Sequence, residues 1–277
     1  MNQIAQKNKK LGNILSSMGR VVVAFSGGVD STLVLSRAYK ELGADNVLAV
    51  VVKSELFRVE EAEGAIKLAQ KMGVKVKETE IKELEDPQIV ANTPNSWYYS
   101  KKLLYTHLNN LATDLNYDIV LDGMIMDDIE DFRPGLKART EAGVRSVLQE
   151  AGLYKREVRT LSKELNLPVW DKPASCSLAS RIPYGVSLDS EKIKKVDLAE
   201  KYIIKQGFDM VRVRYHDNVA RIEVEPDKIS KLIDCRKQIQ LKLSTLGFDY
   251  ISVDLLGYRT GSMNETLVAE QLETQVN

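Results

Sequence analysis

The chain has 277 residues, enough for one large domain or two ordinary ones, either of which can bury a sizeable core. Its 39 basic and 39 acidic residues balance, which disfavours a protein that recruits nucleic acid over a broad basic surface. No run of about 18 apolar residues predicts a transmembrane helix, and the N-terminus lacks the apolar segment of a signal peptide. We therefore expect a cytoplasmic protein.

The cysteine and histidine content restricts the possible metal and sulfur chemistry. The sequence contains two cysteines, Cys176 and Cys235, and two distant histidines, His107 and His216. These are too few and too scattered to predict a zinc site or an iron–sulfur cluster within one chain. A disulfide would be unusual in a reducing cytosol. Sulfur chemistry is therefore expected to use one or two thiols.

The first part of the chain alternates helices with strands. Apolar periodicity predicts them in this order: helix 3–18, strand 21–25, helix 32–42, strand 46–52, helix 60–72, strand 74–79, helix 100–115 and strand 117–123. This alternation implies right-handed crossovers and a doubly wound parallel sheet of the α/β class. Ligands of such sheets lie beyond the carboxyl ends of the strands.

The regular alternation of helices and strands stops near Ser162. Pro168 and Pro173 then indicate a linker or an ordered loop. The elements expected beyond it are helix 190–206, strands 211–215 and 220–224 joined by a turn, helix 228–246 and strand 250–255. This order predicts a smaller C-terminal α+β domain. We predict a nucleotide-binding domain at 1–171, and a domain at 172–277 that carries the cysteine loop and serves substrate binding and oligomerisation.

A glycine-containing turn joins the first strand to the helix after it. Its sequence is Ser26-Gly27-Gly28-Val29-Asp30-Ser31. Adjacent glycines let the backbone turn sharply and approach a bound group, and the helix start supplies free N–H groups. The turn lacks the pattern of a Walker loop, which requires a lysine at the helix start. We interpret it as a pyrophosphate-binding loop, in preference to a simple glycine turn followed by a helix cap.

These six residues resemble the PP-loop of the ATP pyrophosphatase superfamily (adenine nucleotide α-hydrolase-like), whose members cleave ATP between the α and β phosphates. The resemblance implies that ATP contacts Ser26, Gly27, Gly28, Asp30 and Ser31, and that Asp30 is the carboxylate linked to Mg²⁺. An acidic stretch at 122–131 follows the fourth predicted strand. It either helps to orient Mg²⁺, which needs one or two carboxylates, or forms a solvated loop.

Cys176 lies among small hydroxyl-bearing residues, between two prolines and five residues before Arg181. A structural cysteine usually has apolar neighbours, as Cys235 has in its predicted helix. We therefore expect Cys176 to be an accessible thiol of the kind that a nearby cation or helix start activates. A generic surface cysteine is the alternative interpretation.

Four further motifs narrow the resemblance to one family within this superfamily. They are Asn-Thr-Pro-x-Ser-Trp-Tyr-Tyr at 92–99, Leu-Asp-Gly-Met-Ile at 121–125, Arg-Pro-Gly-Leu-Lys-Ala-Arg at 133–139 and Ala-Ser-Cys-Ser-x-x-Ser-Arg at 174–181. Together with the loop, they resemble LarE, the sulfur transferase family of nickel-pincer nucleotide biosynthesis, over almost the whole chain. The resemblance implies ATP and Mg²⁺ as cofactors and pyridinium-3,5-biscarboxylic acid mononucleotide as substrate. It also implies a homo-oligomer, with a hexamer as one option, and no nucleic-acid or membrane partner.

The implied reaction consumes the protein's own sulfur. ATP adenylates a substrate carboxylate, the Cys176 thiolate forms a thioester, and cleavage of its Cβ–S bond leaves a thiocarboxylate and a dehydroalanine. Members with three cluster-binding cysteines can use external sulfide, and this sequence lacks those cysteines. The resemblance implies catalysis by Cys176, Ser180 and Arg181, substrate binding by Trp97, Arg212, Arg214 and Arg259, and metal binding by Asp30 and Glu200.

Some features of the sequence leave other interpretations open. The alternation of Arg212 and Arg214 by itself favours an exposed strand face, and Lys231 stands where the family has an acidic partner for Glu200. A PP-loop ligase or tRNA-thiolating enzyme that uses an external nitrogen or sulfur donor is a second hypothesis. A non-enzymatic nucleotide-binding module is a third.

Overall fold

The computed structural model describes residues 3–129, 134–173, 175–259 and 261–266. The chain forms two compact units, one of Met1–Glu83 with Trp97–Ser175, the other of Leu84–Ser96 with Cys176–Asn277. The predicted domain boundary differs from this division. We placed residues 84–96 in the first domain and 172–175 in the second, whereas the structure places 84–96 in the second unit and 172–175 in the first. The functional division between the two domains stays a prediction.

A four-stranded parallel sheet forms the centre of the first unit. Its strands are β1 (Val21–Ala24), β2 (Val47–Lys53), β3 (Lys75–Glu80) and β4 (Ile119–Leu121), in the order β3-β2-β1-β4. All three pairings are parallel, and Val21 lies beside Val47 on one side and Ile119 on the other. The predicted α/β class is therefore confirmed.

The helices of the first unit are α1 (Gln3–Ser16), α2 (Val29–Leu42), α3 (Val59–Lys71), α5 (Ser96–Asp114), α6 (Gly135–Glu141), α7 (Val147–Glu150) and α8 (Lys155–Glu164). Val21 and Val23 belong to one hydrophobic cluster, and Val22 between them belongs to another. Because successive side chains of a strand point to opposite faces, β1 is buried on both sides. This explains its uninterrupted valines and the doubly wound arrangement.

A three-stranded sheet forms the centre of the second unit. Its elements are α4 (Pro87–Val90), α9 (Ser190–Lys205), β5 (Val211–His216), β6 (Val219–Val224), α10 (Ile229–Asp234), α11 (Arg236–Thr245) and β7 (Tyr250–Val253). Strands β5 and β6 are antiparallel through a turn with Asp217 at a φ of 53°, and β7 joins β6 in parallel. The predicted second sheet is present. The predicted helix 228–246 is instead two helices that meet at half-buried Cys235.

The described ranges contain no helix that is both long and apolar enough to cross a membrane.

Candidate functional site

The turn after β1 is held in shape by its own hydroxyl groups. Ser26 Oγ and Ser31 Oγ lie 3.0 Å apart, and Ser31 Oγ lies 3.3 Å from the backbone N of Ser26 and from the carbonyl of Gly28. Gly28 stands immediately before α2 and its side-chain-free backbone is extended, with a φ of −81°. The loop therefore presents the first amides of a 14-residue helix, the arrangement that favours an anion.

Gly27 packs directly against helix α3. Its φ is +68°, and a Cβ placed on it would lie 2.9 Å from both Cα and Cβ of Ala65. Glycine is therefore required here both for the left-handed backbone and for the close approach.

The end of β4 meets the start of α2. A Cβ added to Gly123 would lie 2.9 Å from the backbone N of Ser31. The preceding Asp122 is buried, and it accepts hydrogen bonds from Tyr105 Oη at 2.8 Å and Ser146 Oγ at 2.6 Å. Strands β2 and β3 extend from β1 to one side and β4 lies on the other, so the loop sits where the strand order reverses. Such a switch point is the usual ligand site of an open α/β sheet.

Asp30, in the first turn of α2, carries an ion pair that the sequence did not suggest. Its Oδ2 lies 2.5 Å from Nζ of Lys155, the first residue of α8. Burial raises the pKa of Asp30, and the Lys155 ammonium opposes that rise. The pair brings a positive charge to the loop from a distant part of the chain.

The second oxygen of Asp30 bears on the predicted Mg²⁺ link. Oδ1 is buried and has no hydrogen-bond partner among the residues that the structure describes. Within those same residues, no group of three or more His, Cys, Asp or Glu side chains forms a metal cluster. A single free carboxylate oxygen fits Mg²⁺, which is commonly bound by one or two carboxylates together with nucleotide phosphates. Of the acidic stretch 122–131, Glu130 and Asp131 lie outside the described residues.

A second lysine reaches the same loop. Lys172 Nζ donates to Glu61 Oε2 of α3 at 2.7 Å and to the Gly27 carbonyl at 3.4 Å. Arg159 of α8 fixes the backbone beside it by donating to the carbonyls of Trp170 at 3.1 Å and Lys172 at 3.2 Å. The linker that precedes the cysteine motif is thus attached to the nucleotide loop within the first unit.

In the second unit, Cys176 has an exposed side chain, as predicted for an accessible thiol. A single turn of 3₁₀ helix, Leu178–Arg181, follows it, and the Ser177 hydroxyl caps this turn by accepting from Ala179 N at 3.3 Å. Ser180 Oγ donates to the Ser177 carbonyl at 2.8 Å. The turn therefore ties Ser180 and Arg181 to the backbone next to the thiol.

Arg181 is buried and paired with Glu200 of α9. Its Nε lies 2.9 Å from Oε1 and its Nη2 lies 3.1 Å from Oε2, a two-point contact in which the side chains are 3% and 0% exposed. Glu200 Oε1 also accepts from the backbone N of Val213, at 2.9 Å. Burial acts against the Arg181 cation, but the Glu200 carboxylate outweighs it and holds the pKa of Arg181 above its ordinary value.

Arg212 and Arg214 lie on the same face of β5, and both are buried. The interpretation of an exposed charged strand is therefore wrong, because other parts of the second unit cover this face. Arg214 donates to Glu223 Oε2 at 2.6 Å and to the Ser180 carbonyl at 2.8 Å. Arg212 lies 5.3 Å from the Tyr258 ring. Burial, followed by repulsion from the Arg181 cation, lowers the pKa of Arg212.

Two predicted substrate residues are placed differently. Arg259 Nη1 lies 3.2 Å from Asp254 Oδ1 and donates to the Gly257 carbonyl at 3.0 Å. Trp97 is half-buried near the start of α5 in the first unit, next to the edge-to-face pair of Tyr98 and Tyr99. The contacts described above link Ser180, Arg181 and Arg214 with the Cys176 turn.

Comparisons with known proteins identify the family. The NAD synthase family model matches residues 4–95. The chain is 49% identical to pyridinium-3,5-bisthiocarboxylic acid mononucleotide synthase of Lactiplantibacillus plantarum, over 99% of both proteins. The chain belongs to the LarE family. Uncharacterized relatives are 39% identical in Synechocystis, over 95% of this chain and 99% of the relative, and 30% identical in Methanocaldococcus jannaschii, over 87% and 91%.

Membership of the LarE family makes the protein an ATP-dependent enzyme of the PP-loop type. The predicted metal role of Glu200 does not fit this LarE chain. Its carboxylate is fully buried and is already engaged by Arg181 and the Val213 amide. Lys231, at the position of the expected partner, instead lies 5.2 Å from the Phe208 ring.

Four residues that contact the loop 26–31 or Asp122 were missed from the sequence. Lys155 lies in a helix that we did not predict, and Lys172 lies in the proline-bounded linker, where its charge had no assigned partner. Tyr105 and Ser146 carry no motif of their own. The sequence does show Lys155 at the start of an amphipathic segment, but this position does not predict that it pairs with Asp30.

Proposed function

We propose that the protein transfers the sulfur of Cys176 to a carboxylate of pyridinium-3,5-biscarboxylic acid mononucleotide after activating that carboxylate with ATP. The observation that carries this proposal is the exposed Cys176 thiol at the start of a turn whose backbone carbonyls, at Cys176 and Ser177, contact the buried Arg181 guanidinium. The chain also holds the hydroxyl-braced loop 26–31 at the start of a helix. An accessible thiol beside a fixed cation suits attack on an activated anionic substrate.

The first step uses the nucleotide loop of the first unit. A substrate carboxylate oxygen attacks the α-phosphorus of ATP, and pyrophosphate leaves with the electrons of the broken P–O bond. The free amides at the start of α2 and the Lys155 and Lys172 ammonium groups counter the charge on the phosphates. Mg²⁺, which Asp30 would hold through its free Oδ1, supplies further charge neutralisation when bound.

In the second step the Cys176 thiolate attacks the acyl carbon of the adenylate. A C–S bond forms, the C–O bond to AMP breaks, and AMP carries away the electron pair. AMP is a far better leaving group than the original carboxylate oxygen, which is the purpose of the adenylation. In the third step the Cβ–S bond of Cys176 breaks, so that the sulfur stays on the product and the protein keeps dehydroalanine.

Substrate recognition would use the buried cations of the second unit. Arg181 and Arg212 repel each other, and Glu200 compensates one of the two charges. Forked guanidinium groups suit recognition of a substrate carboxylate or phosphate, which is the role we propose for Arg212 and Arg214. Trp97 and Arg259 stay predicted substrate contacts, by stacking and by ion pairing respectively.

The test is the formation of thiocarboxylate and the release of pyrophosphate, measured with and without the pyridinium mononucleotide. We expect both products from the wild type and from Cys235→Ala, and no thiocarboxylate from Cys176→Ala. Thiocarboxylate formed by Cys176→Ala would instead favour a ligase or tRNA-thiolating enzyme that takes its donor from solution. A protein that binds ATP but releases no pyrophosphate with the substrate present would favour the non-enzymatic nucleotide-binding module.

The reaction belongs in the cytoplasm under this proposal, since it needs ATP and a reduced thiol. The homo-oligomer implied by the family stays a prediction, which sedimentation of the full chain would test.

A further inference from the structure

The guanidinium group of Arg181 contacts the backbone of the reactive cysteine. Its Nη1 lies 3.4 Å from the carbonyl oxygen of Cys176. The same nitrogen donates to the Ser177 carbonyl at 3.0 Å and to Ser180 Oγ at 2.8 Å. Two N–H groups are thus shared among three acceptors, and the Cys176 carbonyl has the longest of the three contacts.

The carbonyl of Cys176 takes part directly in the third step. Loss of sulfur as a thiocarboxylate requires the Cα proton of Cys176 to leave. Its electron pair passes first into the adjacent carbonyl, giving an enolate, and then forms the Cα–Cβ double bond. The electrons of the Cβ–S bond leave on the sulfur, and a general base, such as hydroxide or a carboxylate, takes the proton. No oxidant or reductant is needed.

We propose that Arg181 is a catalytic residue of this elimination and stabilises the enolate on the Cys176 carbonyl oxygen. This inference rests on the proposed function and assigns the group that carries its last step. The long contact to the neutral carbonyl gains most when that oxygen becomes negative, while the contacts to Ser177 and Ser180 gain nothing. An interaction that is weak in the ground state and strong in the charged intermediate accelerates a reaction.

The surroundings of Arg181 suit this role. The Glu200 carboxylate holds the guanidinium by two contacts, and neither side chain has more than 3% of its surface exposed. The cation is therefore fixed before the reaction and shielded from water. In this buried position its attraction for an oxyanion is larger than it would be in solution. Although Arg181 is buried, the Cys176 side chain is exposed, so it has room to carry the bulky thioester.

The experiment follows the mass of the intact protein over time with ATP, Mg²⁺ and pyridinium-3,5-biscarboxylic acid mononucleotide. Two variants remove the Arg181 donor in different ways. Arg181→Lys keeps a cation beside Glu200 but loses the forked donor. The double variant Arg181→Met with Glu200→Met replaces the whole buried pair by apolar side chains, a change that buried pairs often tolerate. Arg37→Lys is the control, since Arg37 is also buried and lies 2.8 Å from Glu41.

In both Arg181 variants we expect the thioester adduct to form and accumulate, and its conversion to dehydroalanine to slow by about 10²-fold. Arg37→Lys should convert at the wild-type rate. Conversion at the wild-type rate in an Arg181 variant would overturn the inference, and so would pyrophosphate release without any adduct, because Arg181 would then act before the elimination. A wild-type protein that never loses mass would instead refute the proposed function.

Discussion

The ammonium group of Lys155 lies 2.5 Å from Oδ2 of Asp30, although 125 positions of sequence separate the two residues. Lys155 brings to the start of α2 an ammonium group, which a Walker loop carries within its own motif, and Asp30 pairs with it. The pair also leaves the other oxygen of Asp30 buried and without a partner among the described residues. The nucleotide site of this chain is therefore assembled by the fold as much as by the loop.

Lys155→Met should destabilise the nucleotide-free protein, because it leaves the Asp30 carboxylate partly buried without its counter-ion. Both side chains are a quarter to a third exposed, so we expect a loss of about 1 kcal/mol or less in the free energy of unfolding. Added Mg²⁺ should raise the Tm of the variant more than that of the wild type, since no ammonium competes for Asp30. Urea denaturation and thermal melts measure the two effects. Equal Mg²⁺ shifts in both proteins would contradict the account.

Gly27→Ala should disable the loop, because the new Cβ would meet the backbone of Ala65 at 2.9 Å in a left-handed conformation. We expect a loss of about 2 kcal/mol in stability together with loss of ATP binding. Gly43→Ala is the matched control. Its φ is also positive, at +81°, but among the described residues no heavy atom lies within 4 Å of the added Cβ. If the two variants lost the same stability, backbone strain alone, and not contact with α3, would explain why position 27 requires glycine.

Much of the fold could be predicted because its signals are local. The valines of β1 indicate a strand buried on both faces, and the alternation of helices and strands gives the parallel sheet. The break at Cys235 was missed because the helical periodicity continues through it. The region 135–164 was missed because its three helices are short, with seven, four and ten residues.

The site was predicted only where a motif carries it. The loop 26–31 and Cys176 were found from their sequence, whereas the partners of Asp30 and Gly27 depend on contacts between remote segments. The burial of Arg212 could not be inferred, since an alternating charged strand is equally compatible with exposure. Whether Glu200 binds a metal or an arginine likewise depends on what packs against it, and here it is Arg181.

Lys172→Met should weaken the nucleotide site, because it removes the bonds from Lys172 to Glu61 and to the Gly27 carbonyl. The loss of one charge-assisted interaction, about 1–2 kcal/mol, should raise the ATP concentration needed for half-maximal pyrophosphate release in a single turnover by roughly 5- to 30-fold. Lys75→Met is the control, since Lys75 forms an exposed pair with Asp45 in the same unit. An unchanged ATP dependence would show that Lys172 has no influence on the loop.

Glu83 should make stability depend on pH. It is 1% exposed and accepts hydrogen bonds from Ser54 and Ser100, and burial raises its pKa above the ordinary value of 4.5. Between the unfolded and folded pKa values the native state keeps a proton that the unfolded chain releases. Stability therefore falls as pH rises through that window, by at most about 1.4 kcal/mol per pH unit.

Glu83→Gln does not titrate, so its stability relative to the wild type should increase from pH 5 to pH 8. Urea denaturation at both values measures the difference. A difference that stays constant with pH would argue that Glu83 has the same protonation behaviour in the folded and unfolded states.

In the proposed reaction Cys176 gives up its own sulfur, and the mass of the intact protein measures that loss. After incubation with ATP, Mg²⁺ and pyridinium-3,5-biscarboxylic acid mononucleotide, we expect the intact chain to be lighter by one hydrogen sulfide. Peptide mapping should place dehydroalanine at position 176 and unmodified cysteine at position 235, with one thiocarboxylate formed for each protein chain converted. Thiocarboxylate formed while the mass of the chain stays unchanged would contradict the sacrificial mechanism.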